Sequence, residues 1–242
     1  MKIDLSAVFT DAGALWRARR DLILRIAPPF LFLPPFAGAL LTPDPVVPAE
    51  AATDPAAAQA ATLQILLAAM PLYIVTLAIG AVGSAALYQL LLRPGVNVGE
   101  TLRIALPRAL FLFLALMLVQ TGFFIGLFLL IVPGVWFYGR SFVTGPVLIA
   151  ETGSNPVDAI KRSFALTKST GWMLAFAGLA VLFGANAIVL IIGDIRAAIG
   201  DDPVLSALIF AAAAAINMFG TIAEILLRAA AYRRLSGSKR GM

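Results

Sequence analysis

The residues of this chain with the means to do chemistry are charges set in or beside long apolar runs. Arg140 lies inside one such run and Glu151 closes it, Arg162 follows in a polar stretch, and Glu224 and Arg228 share the last run. Charges at bilayer depth are costly and are by default functional candidates. Arg140 sits about 8 Å along a helix starting at Val135. Two roles fit it: a cation in a cavity, binding a lipid phosphate or pairing with a carboxylate, or a side chain snorkelling to the outer headgroups. Glu151 and Arg162 are a second candidate pair, so Arg140, Glu151 and Arg162 together are the candidate lipid or substrate contacts. Glu224 lies about 30 Å beyond Val204, at the inner interface by that arithmetic. Arg228 follows at i+4, the spacing of a helical ion pair.

Absent residue types exclude more chemistry than the present ones suggest. The chain has no His and no Cys. Without His there is no HExxH zinc site, no Ser-His-Asp triad and no His-ligated haem. Without Cys there is no disulfide framework, thiolate nucleophile or Cys-ligated metal. An oxygen-only magnesium or calcium site survives these exclusions. An intramembrane enzyme would have only Glu151 and Glu224 near its spans, so no enzymatic activity and no cofactor are expected.

The composition explains why these charges stand out. Apolar residues make up 61% of the 242 positions and charged residues 13%, against about 25% charged in a soluble domain. This excludes a soluble globular domain and a disordered chain, and leaves an all-α, polytopic transmembrane bundle. A single membrane domain over 1–242 is expected, with six spans at about 22–41, 60–92, 109–131, 135–151, 171–193 and 204–231. The first carries Pro28-Pro29 and Pro34-Pro35 and is expected to be kinked or broken. The second is too long for the hydrocarbon core and must tilt or protrude. Val132-Pro133-Gly134 reads as a type II turn, and 135–151 as a short crossing helix. Residues 42–59 and 194–203 read as loops. Ala49-Glu50-Ala51 imitates a cleavage site, but the preceding segment is long for a signal peptide, and a retained first span is expected.

Charge sorts the connections. Fourteen Lys and Arg fall in the N-terminal segment, the stretches 93–108 and 152–170, and the tail. The opposite connections hold Arg196 against Asp44, Glu50, Asp54, Asp194, Asp201 and Asp202. By the positive-inside rule both termini are cytoplasmic in a bacterial inner membrane.

Short amphipathic helices are expected on the cytoplasmic side. Asn155-Pro156-Val157-Asp158 is a helix start, with Asn as N-cap, Pro at the first position and an acid in the first turn. Asn97 with Glu100 starts a second helix over 97–106, and 6–20 shows the period less clearly. Asn97, Glu100, Leu102 and Arg103 match Asn155, Asp158, Ile160 and Lys161 in type. Either three units of one amphipathic helix plus two spans repeat, or interfacial helices converge on one pattern. Gly122 with Gly126, and Gly80 with Ser84, permit close helix approach, within one bundle rather than between copies. Gln64, Gln89, Gln120, Asn186 and Asn217 suit interhelical hydrogen bonds or a polar path, but do not gather into a pore.

Residues 133–168 carry a pattern: Pro133-Gly134, five residues, Arg140, five residues, Pro146, Glu151, Ala159, Arg162-Ser163 and Leu166-Thr167-Lys168. It resembles the glycerophosphoryl diester phosphodiesterase membrane-domain-like family and related bacterial inner-membrane proteins. The resemblance implies a six-helix membrane module. In some relatives this domain precedes a soluble phosphodiesterase, and catalysis is not carried over to a chain without His.

The expected function is therefore that of a non-enzymatic, membrane-organising or partner-binding module of the cell envelope. Its expected partners are anionic headgroups on the cytoplasmic face, worth ~1 kcal/mol per basic residue, and a membrane protein; nucleic acid is not among them. The alternative is a transporter or lipid-handling protein with a cavity near Arg140, suggested by the broken first span and the repeat pattern.

Overall fold

A computed structural model describes residues 4–42, 54–93, 97–151, 153–199 and 202–237, with side chains in the fourth segment described to 193. Every regular element among the described residues is a helix, and none of these residues forms a strand. Five helices are long and apolar enough to cross a membrane, which makes this a multi-pass membrane protein by helix length and composition.

The N-terminal amphipathic helix and the first span, expected as separate elements, form one rod. Helix α1 (Leu5–Ala27) passes through a π-helical turn (Pro28–Phe32) into α2 (Leu33–Leu41). Asp4 caps it, accepting from the Ser6 N–H at 3.0 Å and the Ser6 hydroxyl at 2.8 Å. The hydroxyl bond, with the N–H bond second, holds the Asp4 carboxyl below its ordinary value. The proline pairs widen the rod instead of breaking it. Each proline lacks an N–H and crowds the preceding turn, and the π turn relieves this by letting Leu33 N–H reach back five residues to Pro28 O.

Helix α3 (Pro55–Leu92) has 38 residues, ~57 Å. Helix α4 (Val98–Leu129) starts at the Asn97 cap, whose side chain accepts from Glu100 N–H at 2.8 Å. It continues through Pro107 into the third expected span, so residues 97–106 are not a separate interfacial helix.

The largest departure follows. The chain breaks at Leu130 (φ −166°, ψ 148°), and Pro133 and Gly134 lie inside α5 (Ile131–Arg140) rather than in a turn. Pro133 fits there because the first-turn N–H groups of a helix have no partner within it. The expected fourth span, 135–151, is not one helix. It is split by the turn 141–143 into α5 and α6 (Thr144–Ala150), and neither has the length of a crossing helix. The expected six spans thus become five long apolar helices and a broken pair.

Helix α7 (Pro156–Leu166) is the one amphipathic helix that stands alone, capped by Asn155 accepting from Asp158 N–H at 2.9 Å. Helix α8 (Gly171–Ile199) extends through part of the expected 194–203 loop. Helix α9 (Pro203–Gly237) starts where Asp202 Oδ1 accepts from the N–H groups of Val204 and Leu205, both at 2.9 Å.

The core is off centre. Helix α9 is buried mainly from Ala214 to Leu235, α3 from Ala81 to Leu91, and α6 almost throughout. None of residues 62–80, 180–193 and 202–213 is fully buried. The packed end is also the basic end. There Arg233 donates to Leu91 O, Arg108 donates to Ile149 O, and Arg234 meets Asp11 at 2.6 Å.

Candidate functional site

The break between α5 and α6 is the chemical centre of the fold. An uninterrupted helix would take Arg140 C=O to residue 144 and Val143 N–H to residue 139. Here Thr144 N–H goes to Ser141 O instead, at 3.1 Å. Helix α7 supplies the missing partners. Ser163 Oγ donates to Arg140 O at 2.8 Å and accepts from Val143 N–H at 3.2 Å. Thr167 lies one turn further on the same face, and its hydroxyl proton is shared between Arg140 O at 2.9 Å and Ser163 O at 2.8 Å. Ser141 Oγ returns to Phe137 O at 2.9 Å. Helix α7 thus covers the backbone groups that the break frees.

The Arg140 side chain points away from this bond set. Its guanidinium lies 5.8 Å from the Trp136 ring centre and 5.4 Å from that of Phe164, within cation–π range. Its Nε has no hydrogen-bond partner, and among the described residues it forms no ion pair. Gly171, the first residue of α8, lies against its stem, and a Cβ there would stand 3.0 Å from Arg140 Cδ.

Glu151 and Arg162 meet at 3.2 Å, each side chain partly exposed. Tyr232 of α9 donates to the same Glu151 oxygen at 3.3 Å. The three candidate lipid or substrate contacts therefore divide. Glu151 and Arg162 engage one another, and Arg140 faces aromatic rings on its own.

Glu224 and Arg228 meet at 2.7 Å, with side chains 17% and 16% exposed. Tyr138 donates to Glu224 Oε1 at 3.0 Å, and the Arg228 guanidinium lies 5.3 Å from the Phe142 ring centre. Chain arithmetic puts this pair at the inner interface. In the bundle it lies between α5 and α9, eight residues or ~12 Å before Tyr232, which joins the Glu151 layer.

Sequence reasoning placed Phe164 with Val157 and Ile160 on the apolar face of a helix, gave Ser163 and Thr167 only a place in the 133–168 pattern, and left Tyr138 without a role. The signal was present for two of them: Ser163 and Thr167 recur at i, i+4, one face of a helix. No local pattern announces that a Tyr on α5 will meet a Glu on α9.

Two open grooves mark the surface. One, of about 640 Å³, runs between α4 and α7 past Leu114, Leu118, Thr121, Asp158 and Lys161. The other lies along α3 at Ala58, Thr62 and Leu66. Arg140 lines neither. Among the described residues no three Asp or Glu side chains gather as a metal site. Gln89 is fully buried with both side-chain polar atoms unpartnered. No family model, curated protein or solved structure matches this chain.

Proposed function

We propose that the protein is a non-enzymatic module of the bacterial inner membrane, which organises anionic lipids or a membrane-protein partner through a basic cytoplasmic face. One observation carries this reading: the most distinctive polar residues are committed to one another as structure. Ser163 and Thr167 close the α5–α6 break, Glu151 takes Arg162 and Tyr232, and Glu224 takes Arg228 and Tyr138. The stretch 133–168, which resembles the glycerophosphoryl diester phosphodiesterase membrane-domain-like family, thereby acquires a structural rationale without catalysis. The charge distribution supports cytoplasmic termini, with exposed Lys161 and Lys168 at the headgroups.

A lipid-handling role is the second reading. What favours it is Arg140, a cation with an unpartnered Nε and no carboxylate partner among the described residues.

Extraction with surrounding lipid, followed by lipidomics, separates the two. A module enriches anionic lipids over bulk membrane, and Lys161→Gln with Lys168→Gln lowers that enrichment. Retention of one lipid class in near-stoichiometric amount, lost in Arg140→Leu, would transfer the assignment to lipid handling.

A further inference from the structure

We propose that α4 and α5 form a re-entrant hairpin. It enters the bilayer from the basic side, turns at Leu130 among the lipid acyl chains, and returns to the same side. The chain then crosses the membrane four times, through the α1–α2 rod, α3, α8 and α9. This deepens the membrane-module reading and rests on it.

Helix α8 serves as the ruler. Its apolar part, residues 171–193, measures ~33 Å, close to the ~30 Å hydrocarbon core. Gly171 therefore lies near one interface, with Lys168 just outside it and Trp172 in the aromatic belt. Gly139 packs directly on this point, since a Cβ there would overlap the Gly171 carbonyl. From Gly139 back to Ile131 there are eight residues, ~12 Å of helix. Whatever the tilt of α5, its turn lies no more than ~12 Å above the level of Gly171, less than half of the crossing.

Helix α7 provides a second ruler. Its Asp158 and Lys161 are exposed, which holds it at the headgroups, because charges facing hydrocarbon are costly. It is bonded to Arg140 O and lies beside Leu114 and Thr121 of α4. The part of α4 beside α7 runs from Leu114 to Thr121, so from this level to Leu129 is eight to fifteen residues, ~12–22 Å, short of the ~30 Å core.

The tip has the composition that this depth requires. Phe128 is 92% exposed, and Leu129, Leu130, Ile131 and Val132 are each at least 63% exposed. The other two far-side connections carry Asp44, Glu50 and Asp54, and Asp194, Asp201 and Asp202. A hairpin emerging into water would expose five large apolar side chains there. Turning in hydrocarbon leaves the first N–H groups of α5 and the last carbonyls of α4 without helical partners, and the shortness of the turn limits how many. Leu130 is its single non-helical residue, Leu130 N–H donates to Gly126 O at 3.0 Å, and Pro133 has no N–H to satisfy. Gly126 and Gly134 bring the two helix ends together, since a Cβ on Gly126 would lie 2.6 Å from Gly134 Cα.

The chain contains no Cys, so single-Cys variants can be made directly in the full protein. Leu130→Cys, Phe128→Cys, Asp202→Cys and Gly237→Cys are labelled with bimane and placed in nanodiscs. Quenching is then measured with lipids brominated at different acyl depths and with aqueous iodide. At positions 130 and 128 we expect most of the fluorescence to be lost to bromines near the chain ends, and little to iodide. Positions 202 and 237 should show the reverse. Iodide or shallow-bromine quenching at 130 and 128 would place the turn at the far interface and overturn the hairpin. Shielding from both quenchers, with or without a disulfide-linked dimer on oxidation, would assign the tip to protein cover and overturn it equally. Iodide quenching without bromolipid quenching at Phe183→Cys, an exposed position in the middle of α8, would instead sink the membrane reading on which the hairpin rests.

Discussion

Ser163 is the residue on which the α5–α6 junction depends most, because its one hydroxyl serves two freed backbone groups. Ser163→Ala leaves Val143 N–H without that partner, while Thr167 still reaches Arg140 O. Thermal unfolding in detergent should show a loss of about 1–3 kcal/mol, the cost of an unsatisfied buried group. Thr167→Val added to it should cost more than the two single losses combined, since only the double variant leaves Arg140 O unpaired. Simple additivity would refute the shared latch. The Glu224–Arg228 pair makes the opposite prediction. Glu224→Met or Arg228→Met alone strands a buried charge, at about 3–5 kcal/mol. The double replacement should be milder than either, and a double variant as unstable as the sum of the singles would show that the two do not act as a pair. Arg140→Leu removes the stacking on Trp136 and Phe164, so its unfolding free energy should fall by no more than about 0.5–2 kcal/mol. Of these roles, the i, i+4 pairing of Glu224 with Arg228 was legible in the chain because it is local. The docking of Ser163 on Arg140 joins residues 23 apart, and no spacing rule reaches that far.

At the scale of elements, N-caps read well from sequence. Asn97 and Asn155 each accept the N–H bond that their type and position imply. Interruptions read poorly. Four prolines near 28–35 widened one helix, and Pro107 left another continuous, whereas the real breaks came at Leu130 and at 141–143. Proline removes one donor, which a π turn or a first-turn position can absorb. A break without proline needs outside partners, and those come from another helix. The α5–α8 crossing gives a direct test. Gly139→Ala drives a methyl into the Gly171 carbonyl and should cost about 1–3 kcal/mol by overpacking. Gly13→Ala meets nothing within 4 Å and should be neutral or stabilising by about 0.5–1 kcal/mol. Equal unfolding midpoints for the two variants would show that the close approach is not made.

For the whole molecule, the basic and packed ends coincide, so under the proposed orientation the cytoplasmic face is also the densely packed one. In sealed spheroplasts an impermeant maleimide added outside should label Asp202→Cys and not Gly237→Cys until the membrane is opened. The reverse pattern would invert the orientation. The exposed Arg234–Asp11 pair ties α1 to α9 at this face, yet Asp11→Asn should cost less than about 1 kcal/mol, because water screens it. Composition by itself determined that the chain is helical and membrane-embedded, that one face is basic, and that His- and Cys-dependent chemistry is impossible. These are sums and short periods, carried by residues within a turn or two of each other. Only the tertiary structure decided which polar groups satisfy one another, and how far α5 extends beside α8. Apolar length measures what a helix is able to cross. In the proposed hairpin, what it does cross depends on where its neighbour begins, and the close approach of Gly139 to Gly171, 32 residues apart, fixes that point.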